Sequence, residues 1–227
     1  MSAVEESEST ALLERAIGYA LCGLRPVTGA LLSRPTPCRD WSLGMLLWHA
    51  NDSLAALYEG LDSGRVELVP ASGPCGRAPE RREELPRPGG PPEDPGEDPG
   101  EDPAEDPAED PAEVFRSRAT RLLGAWSALP TADKRCVMVD DWPLTTTLLA
   151  RTGALEIAVH GWDIARAAGL PRPIPAALAT DLLRTAHQLV PEPEARHPLF
   201  APPVPVGSGA DPSDRLVAFL GRDPCGP

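Results

Sequence analysis

The stretch PLTTTLLARTGALEIAVHGWDIARAAG, residues 143–169, decides the fold. It is long and only weakly polar, and Leu149, Leu155, Ile157, Ala158 and Val159 leave it little to show to water. That pattern predicts a central helix from Pro143 to Ala168, stopped by Gly169, which takes left-handed backbone angles at little cost. On such a helix Glu156 and His160 lie four residues apart, on one face and one turn from each other. Thr152 and Asp163 flank them on that face. A glutamate among apolar neighbours must be paired, protonated or metal-bound, because an unpaired buried carboxylate costs several kcal/mol.

Working outward, a first helix is expected from Thr10 to Leu32, on the spacing of Leu12, Leu13, Ala16, Ile17, Ala20, Leu21 and Leu24, with Pro26 kinking it or ending it early. Arg34-Pro35-Thr36-Pro37-Cys38 reads as extended, since a residue before proline avoids helical angles. A second helix starts near Asp40 or Ser42. Leu43, Leu46, Leu47, Ala50, Leu54, Leu57, Tyr58 and Leu61 give it an apolar face, with His49 on the flank. A third opens at Asp110-Pro111-Ala112-Glu113, where Asp is a good N-cap, Pro suits the first turn and Glu completes a capping box; it ends near Leu129-Pro130. A fifth is expected from Pro175 to Leu189, and a last short one from Asp211 to Gly221. Strand signals are poor, and only Val204-Pro205-Val206 suggests a short extended piece.

Between the second and third helices lies EDPGEDPGEDPAEDPAEDPAE, residues 93–113. Proline every fourth residue blocks helix and the carboxylates repel one another, so a solvated, extended spacer is expected over residues 70–112. The repeat lacks the glycine turn and bidentate glutamate of a calcium loop. The expected organisation is therefore residues 1–69 as one half of a bundle, 70–112 as disordered acidic linker, and 113–227 as the second half with a C-terminal extension. Helix, helix, long crossover, helix, helix is the order of an all-α four-helix bundle with one long connection.

The repeat also explains the charge. The net charge is −13, but eleven acidic residues and no basic one fall between Glu93 and Glu113, leaving −2 for the rest. A nearly neutral folded part argues against nucleic acid as a partner, which needs a clustered basic face. No apolar run reaches the ~18 residues of a membrane span, and the start, MSAVEESEST, has no signal-peptide pattern. A soluble cytoplasmic protein is expected. Five cysteines (Cys22, Cys38, Cys75, Cys136 and Cys225), odd in number and without a CxxC pair, argue against a disulfide framework and a cysteine-built zinc site.

Glu156 and His160 thus offer two ligands of the zinc type, and a third must come from another helix. Of four histidines, His187 and His197 sit in the less patterned C-terminal third, and His49 is the best donor. On spacing alone a Glu–His hydrogen bond along one helix is the favoured account. Three protein ligands would leave one open position, the arrangement of a catalytic zinc, which can hold water or a thiol.

Three segments carry a resemblance. Thr36-Pro37-Cys38-Arg39-Asp40-Trp41, leading into Leu46-Leu47-Trp48-His49, resembles the TPCxxW…LxxH opening of the mycothiol-dependent maleylpyruvate isomerase family, within the DinB-like helical-bundle superfamily. Glu156 to Ala165 resembles its ExxxHGWDxA motif. Phe200-Ala201-Pro202 and Leu220-Gly221-Arg222-Asp223-Pro224 are similar to the ending of its small members. The resemblance covers most of residues 10–69 and 113–224; the acidic repeat is not part of the family pattern. It implies a DinB-like bundle, with His49, Glu156 and His160 holding a divalent metal, zinc, and mycothiol or a similar thiol as co-substrate.

The function it implies is thiol activation for transfer to, or isomerisation of, a small electrophile, by an isomerase or S-transferase. The open site also admits a metal-binding protein without turnover, or a hydrolase using metal-bound hydroxide. Asp163 is the candidate catalytic residue, as a carboxylate orienting a ligand histidine; a helix-surface or cap role is the alternative. Trp41 and Trp162 are read as core packing before pocket lining. Arg222 is read as a helix-end charge before an anion contact, and Cys38 as packing beside the second helix.

Overall fold

A computed structural model describes residues 3–38, 40–67, 109–129, 136–190, 196 and 200–226. The expected linker falls largely outside the described residues, as do His197, Cys75 and Arg39. Six helices dominate: α1 Ala3–Gly23, α2 Leu43–Ser63, α3 Pro111–Ser127, α4 Thr146–Ala167, α5 Ala176–Leu189 and α6 Pro212–Phe219. The first four form an all-α, DinB-like bundle around one apolar core, in which α4 packs on both α1 and α2, and α3 on α2. Leu13 and Ile17 of α1, Leu46 and Leu54 of α2, Phe115 and Leu122 of α3, and Ile157 and Ile164 of α4 are fully buried there. Helices α5 and α6 pack on each other, and α5 lies against α4. Among the described residues no helix is long and apolar enough to cross a membrane.

The helix ends follow local chemistry. Ser42 caps α2 by accepting from the Met45 N–H, and Gly64 closes it at φ 73°. Asp110 caps α3 through the Ala112 N–H, but Glu113 pairs with Arg116 at 2.6 Å instead of completing a capping box. Helix α1 begins at Ala3, seven residues earlier than expected, and stops at Gly23, ahead of Pro26. A short 3-10 turn, Gly29–Leu31, replaces the rest of the expected first helix.

Helix α4 starts at Thr146 and not at Pro143, because Thr145 caps it through the Leu148 N–H and the preceding residues are strand. Three short strands, β1 Arg65–Val66, β2 Cys136–Val139 and β3 Trp142–Thr145, form a small sheet in the order β1-β2-β3. β1 runs parallel to β2, and β2 is antiparallel to β3 with Met138 opposite Pro143. Proline is tolerated there because β3 is an edge strand. The turn between them uses Asp140 at φ 50°. Val204-Pro205-Val206 joins no strand; Val204 donates its N–H to the Ala218 carbonyl.

The sheet seals one end of the bundle. A Cβ on Gly60 of α2 would meet Val137 and Val66 side chains, the former at 2.9 Å. His49 lies eleven residues earlier on α2, about 16 Å along the axis at 1.5 Å per residue. The predicted ligands therefore sit toward the opposite end from the sheet.

Candidate metal centre

The α2–α4 pair brings His49, Glu156 and His160 together. Glu156 Oε1 lies 2.8 Å from His49 Nε2 and 3.1 Å from His160 Nε2, so one carboxylate oxygen meets both imidazoles. One donor atom from each residue lies within 4.8 Å of the others, a compass that metal–ligand bonds of ~2.0–2.2 Å span. The donor set, two imidazoles and a carboxylate, is one zinc accepts. The site is partly open to solvent: the His49 and Glu156 side chains keep 40% and 38% of their surface exposed, while that of His160 keeps 11%.

Ser53, one turn after His49 on α2, donates its hydroxyl to Glu156 Oε1 at 3.3 Å. Trp41 meets His49 edge-on, with centroids 4.7 Å apart, and lies nearly parallel to His160 at 6.5 Å. It therefore lines the site while also packing against the apolar core as expected, whereas Trp162 is buried and carries the Arg166 guanidinium over its ring. Trp41 and Cys38 are placed by a tight loop. Pro35 bridges Ser42, the Thr36 N–H donates to the Trp41 carbonyl, and Asp40 turns the chain at φ 68°.

Behind His160 stands a second set of charges. His160 Nδ1 lies 3.1 Å from Asp163 Oδ2, so its N–H donates to that carboxylate and Nε2 faces the open side. Asp163 has no exposed surface, which overturns the helix-surface alternative. Arg222 donates from Nη2 to Asp163 Oδ2 at 2.9 Å and from Nε to Oδ1 at 3.4 Å. The expected helix-end contact is present, with Arg222 Nη1 donating to the Leu220 carbonyl at the end of α6 at 3.1 Å, but the chain also passes back over α4 and buries the guanidinium against Asp163. Cys38 packs against the core as expected, and its thiol makes polar contacts as well. Its thiol reaches Asp163 Oδ2 at 3.2 Å and stands 4.0 Å from His160 Nδ1, the ring nitrogen that does not meet Glu156. Thr152 stays exposed and bonds the Leu148 carbonyl. His187 packs on Phe219, apart from these contacts.

Burial alone would push the Glu156 carboxyl up, but the His160 charge and hydrogen bonds from both histidines hold it well below its ordinary range. Burial would likewise lower His160; the Glu156 charge and the bond to Asp163 outweigh it and hold the imidazole well above its usual value. For Asp163, burial opposes ionisation, yet Arg222 and His160 bring the carboxyl down to about 2. A His160 imidazolium would direct one N–H at each of the two carboxylates.

Fold and site together define a DinB-like helical bundle with a candidate divalent-metal centre at the mouth between α2 and α4. The family model described as the mycothiol maleylpyruvate isomerase N-terminal domain matches residues 14–165, and the chain belongs to that family. The match spans His49, Glu156, His160 and Asp163 and stops short of Arg222. No curated protein and no solved structure matches the chain.

Proposed function

We propose that the chain binds a divalent metal, zinc in the first instance, through His49 Nε2, Glu156 and His160 Nε2, and activates a low-molecular-weight thiol such as mycothiol for reaction with a small electrophile. The observation that carries this reading is the meeting of three donors at a half-exposed mouth, which leaves room for a ligand from solvent. Bound there, the cation supplies Lewis acidity that favours the thiolate form of a thiol at its open side.

The chain's own residues prepare that position. Asp163 holds the Nδ1 proton of His160 and so keeps Nε2 directed at the mouth. Ser53 holds Glu156 from α2. Trp41 shields both imidazole rings from water on one flank. The activated sulfur then adds to an electrophilic carbon. At a double bond, addition, rotation and expulsion of the same thiolate give isomerisation. At a carbon bearing a leaving group, displacement gives transfer.

The test combines metal analysis with turnover. Purified protein should hold about one zinc per chain, as a three-ligand site requires. Loaded with zinc and given mycothiol, it should consume at least one class among activated alkenes, epoxides and alkyl halides faster than the thiol alone. Zinc-loaded protein that accelerates no conjugation or isomerisation across that panel would sink the thiol reading. Turnover of esters or amides without any thiol would replace it with a hydrolase.

A further inference from the structure

His160 belongs to two donor clusters, one on each ring nitrogen. On the Nε2 side are Glu156 and His49. On the Nδ1 side, Cys38 Sγ, His160 Nδ1 and an Asp163 carboxylate oxygen also lie within 4.8 Å of one another. Thiol, imidazole and carboxylate are all zinc ligands, and a thiolate is the strongest draw among them for a soft metal. By donor chemistry alone this second cluster should compete for the metal. It would take the ion into a buried place, since Asp163 has no exposed surface.

Two observations set the clusters apart. A cation already stands among the second set of donors. Arg222 Nη2 is 2.9 Å from Asp163 Oδ2 and 3.3 Å from Cys38 Sγ, and the guanidinium keeps 14% of its side-chain surface exposed. It stays charged at any working pH and would repel a divalent ion placed beside it. The electron pairs are also committed. Asp163 Oδ2 receives donors from His160, Cys38 and Arg222, and Oδ1 receives Arg222 Nε. At the first cluster, the hydrogen bonds of His49 Nε2 and Glu156 Oε1 run to one another, to His160 and to Ser53, with no cationic side chain among those partners apart from the imidazoles.

We propose that Arg222 is a resident cation that closes the Cys38–His160–Asp163 cluster to metal, so that the ion is directed to the open His49–Glu156–His160 position. The inference rests on the metal reading of that triad. It makes Arg222, a residue outside the stretch matched by the family, a positioning residue for metal placement. It also gives Cys38 a reason to lie beside the centre without binding it: its thiol is held between a carboxylate and a guanidinium.

Cobalt(II) loading of the full chain under reducing conditions tests this, because sulfur coordination gives an intense near-ultraviolet charge-transfer band. The wild type should bind one cobalt per chain with no sulfur band, and Cys38→Ser should match it in stoichiometry and affinity. Arg222→Met should gain a sulfur band, with or without a second cobalt, and the added Cys38→Ser change should remove it. Arg222→Lys, which keeps the charge, should behave as wild type. A sulfur band in the wild type that Cys38→Ser removes overturns the proposal, as does an Arg222→Met protein, folded by circular dichroism, that shows none. If Arg222→Met does not fold, Arg222→Gln, which keeps hydrogen-bond donors and removes the charge, takes its place: a Cys38-dependent sulfur band supports the proposal and its absence overturns it. If the wild type takes up no cobalt, the triad reading fails separately, while a Cys38-dependent band in Arg222→Met would keep the account of Arg222.

Discussion

Asp163 is the residue on which the charges behind the site converge. It is fully buried, ionised and touched by His160, Cys38 and Arg222. Replacing it with Asn keeps the shape and removes the charge. We expect Asp163→Asn to weaken zinc binding by about 10–100-fold, the usual effect of losing a carboxylate behind a ligand histidine, measured by competition titration. The same change strands Arg222 and should cost about 3 kcal/mol of unfolding free energy, measured in urea. His160→Ala should abolish metal binding altogether, as read by metal analysis after dialysis. At this scale the sequence exposed one helix face well: Glu156 and His160, four residues apart, do meet, with Oε1 3.1 Å from Nε2. Ser53 could have been found the same way, since it follows His49 by four residues on α2. Arg222 and Cys38 could not, because no periodicity links a loop before α2, the middle of α4 and the chain beyond α6.

At the scale of elements, Gly161 explains why α1 and α4 approach so closely beside His160. A Cβ there would stand 2.9 Å from both Cα and Cβ of Ala20, and a Cβ on Gly23 would stand 3.1 Å from the Gly161 carbonyl. Backbone cannot step aside as a side chain can. Gly161→Ala should therefore destabilise the bundle by about 1–3 kcal/mol, seen as a lower melting temperature in a thermal scan. Helix starts were legible at Ser42, Asp110 and Asp211, where a cap precedes an apolar run. The start of α4 was not. Residues 142–145 continue the pattern of the helix, and it is pairing with Cys136–Val139 that makes them strand. Strands of two to four residues carry too little alternation to announce themselves.

For the whole molecule, acid is the informative variable. The Asp163 carboxyl is depressed to about 2 from an ordinary 3.8, so its pairing adds stability above the unfolded value, and that stability is lost as pH falls through about 2. The contribution is about 2 kcal/mol, and urea unfolding between neutral pH and about pH 2 should reveal it. Asp163→Asn should remove that part of the pH dependence. Metal binding should respond over a higher range. His160 is held well above its ordinary value in the metal-free protein, so below that raised value a proton competes for Nε2. Zinc affinity should rise with pH and binding should release protons, which calorimetry in buffers of different ionisation enthalpy would detect. Affinity independent of pH throughout the neutral range would contradict Nε2 as a ligand atom.

The sequence by itself determined the all-α bundle, the placing of most helices and the pairing of Glu156 with His160, because these rest on local signals: apolar spacing, caps and the pitch of one helix. The family likeness was also legible there, in short motifs within single elements. Only the tertiary structure decided that His49 meets Glu156 across the α2–α4 interface, that β1–β3 seal the far end, and that Arg222 returns to neutralise Asp163. The His49–Glu156 and Asp163–Arg222 contacts join residues 107 and 59 positions apart. Sequence spacing encodes neighbours along one helix, whereas these approaches depend on how whole helices pack, down to whether a glycine lets two of them touch.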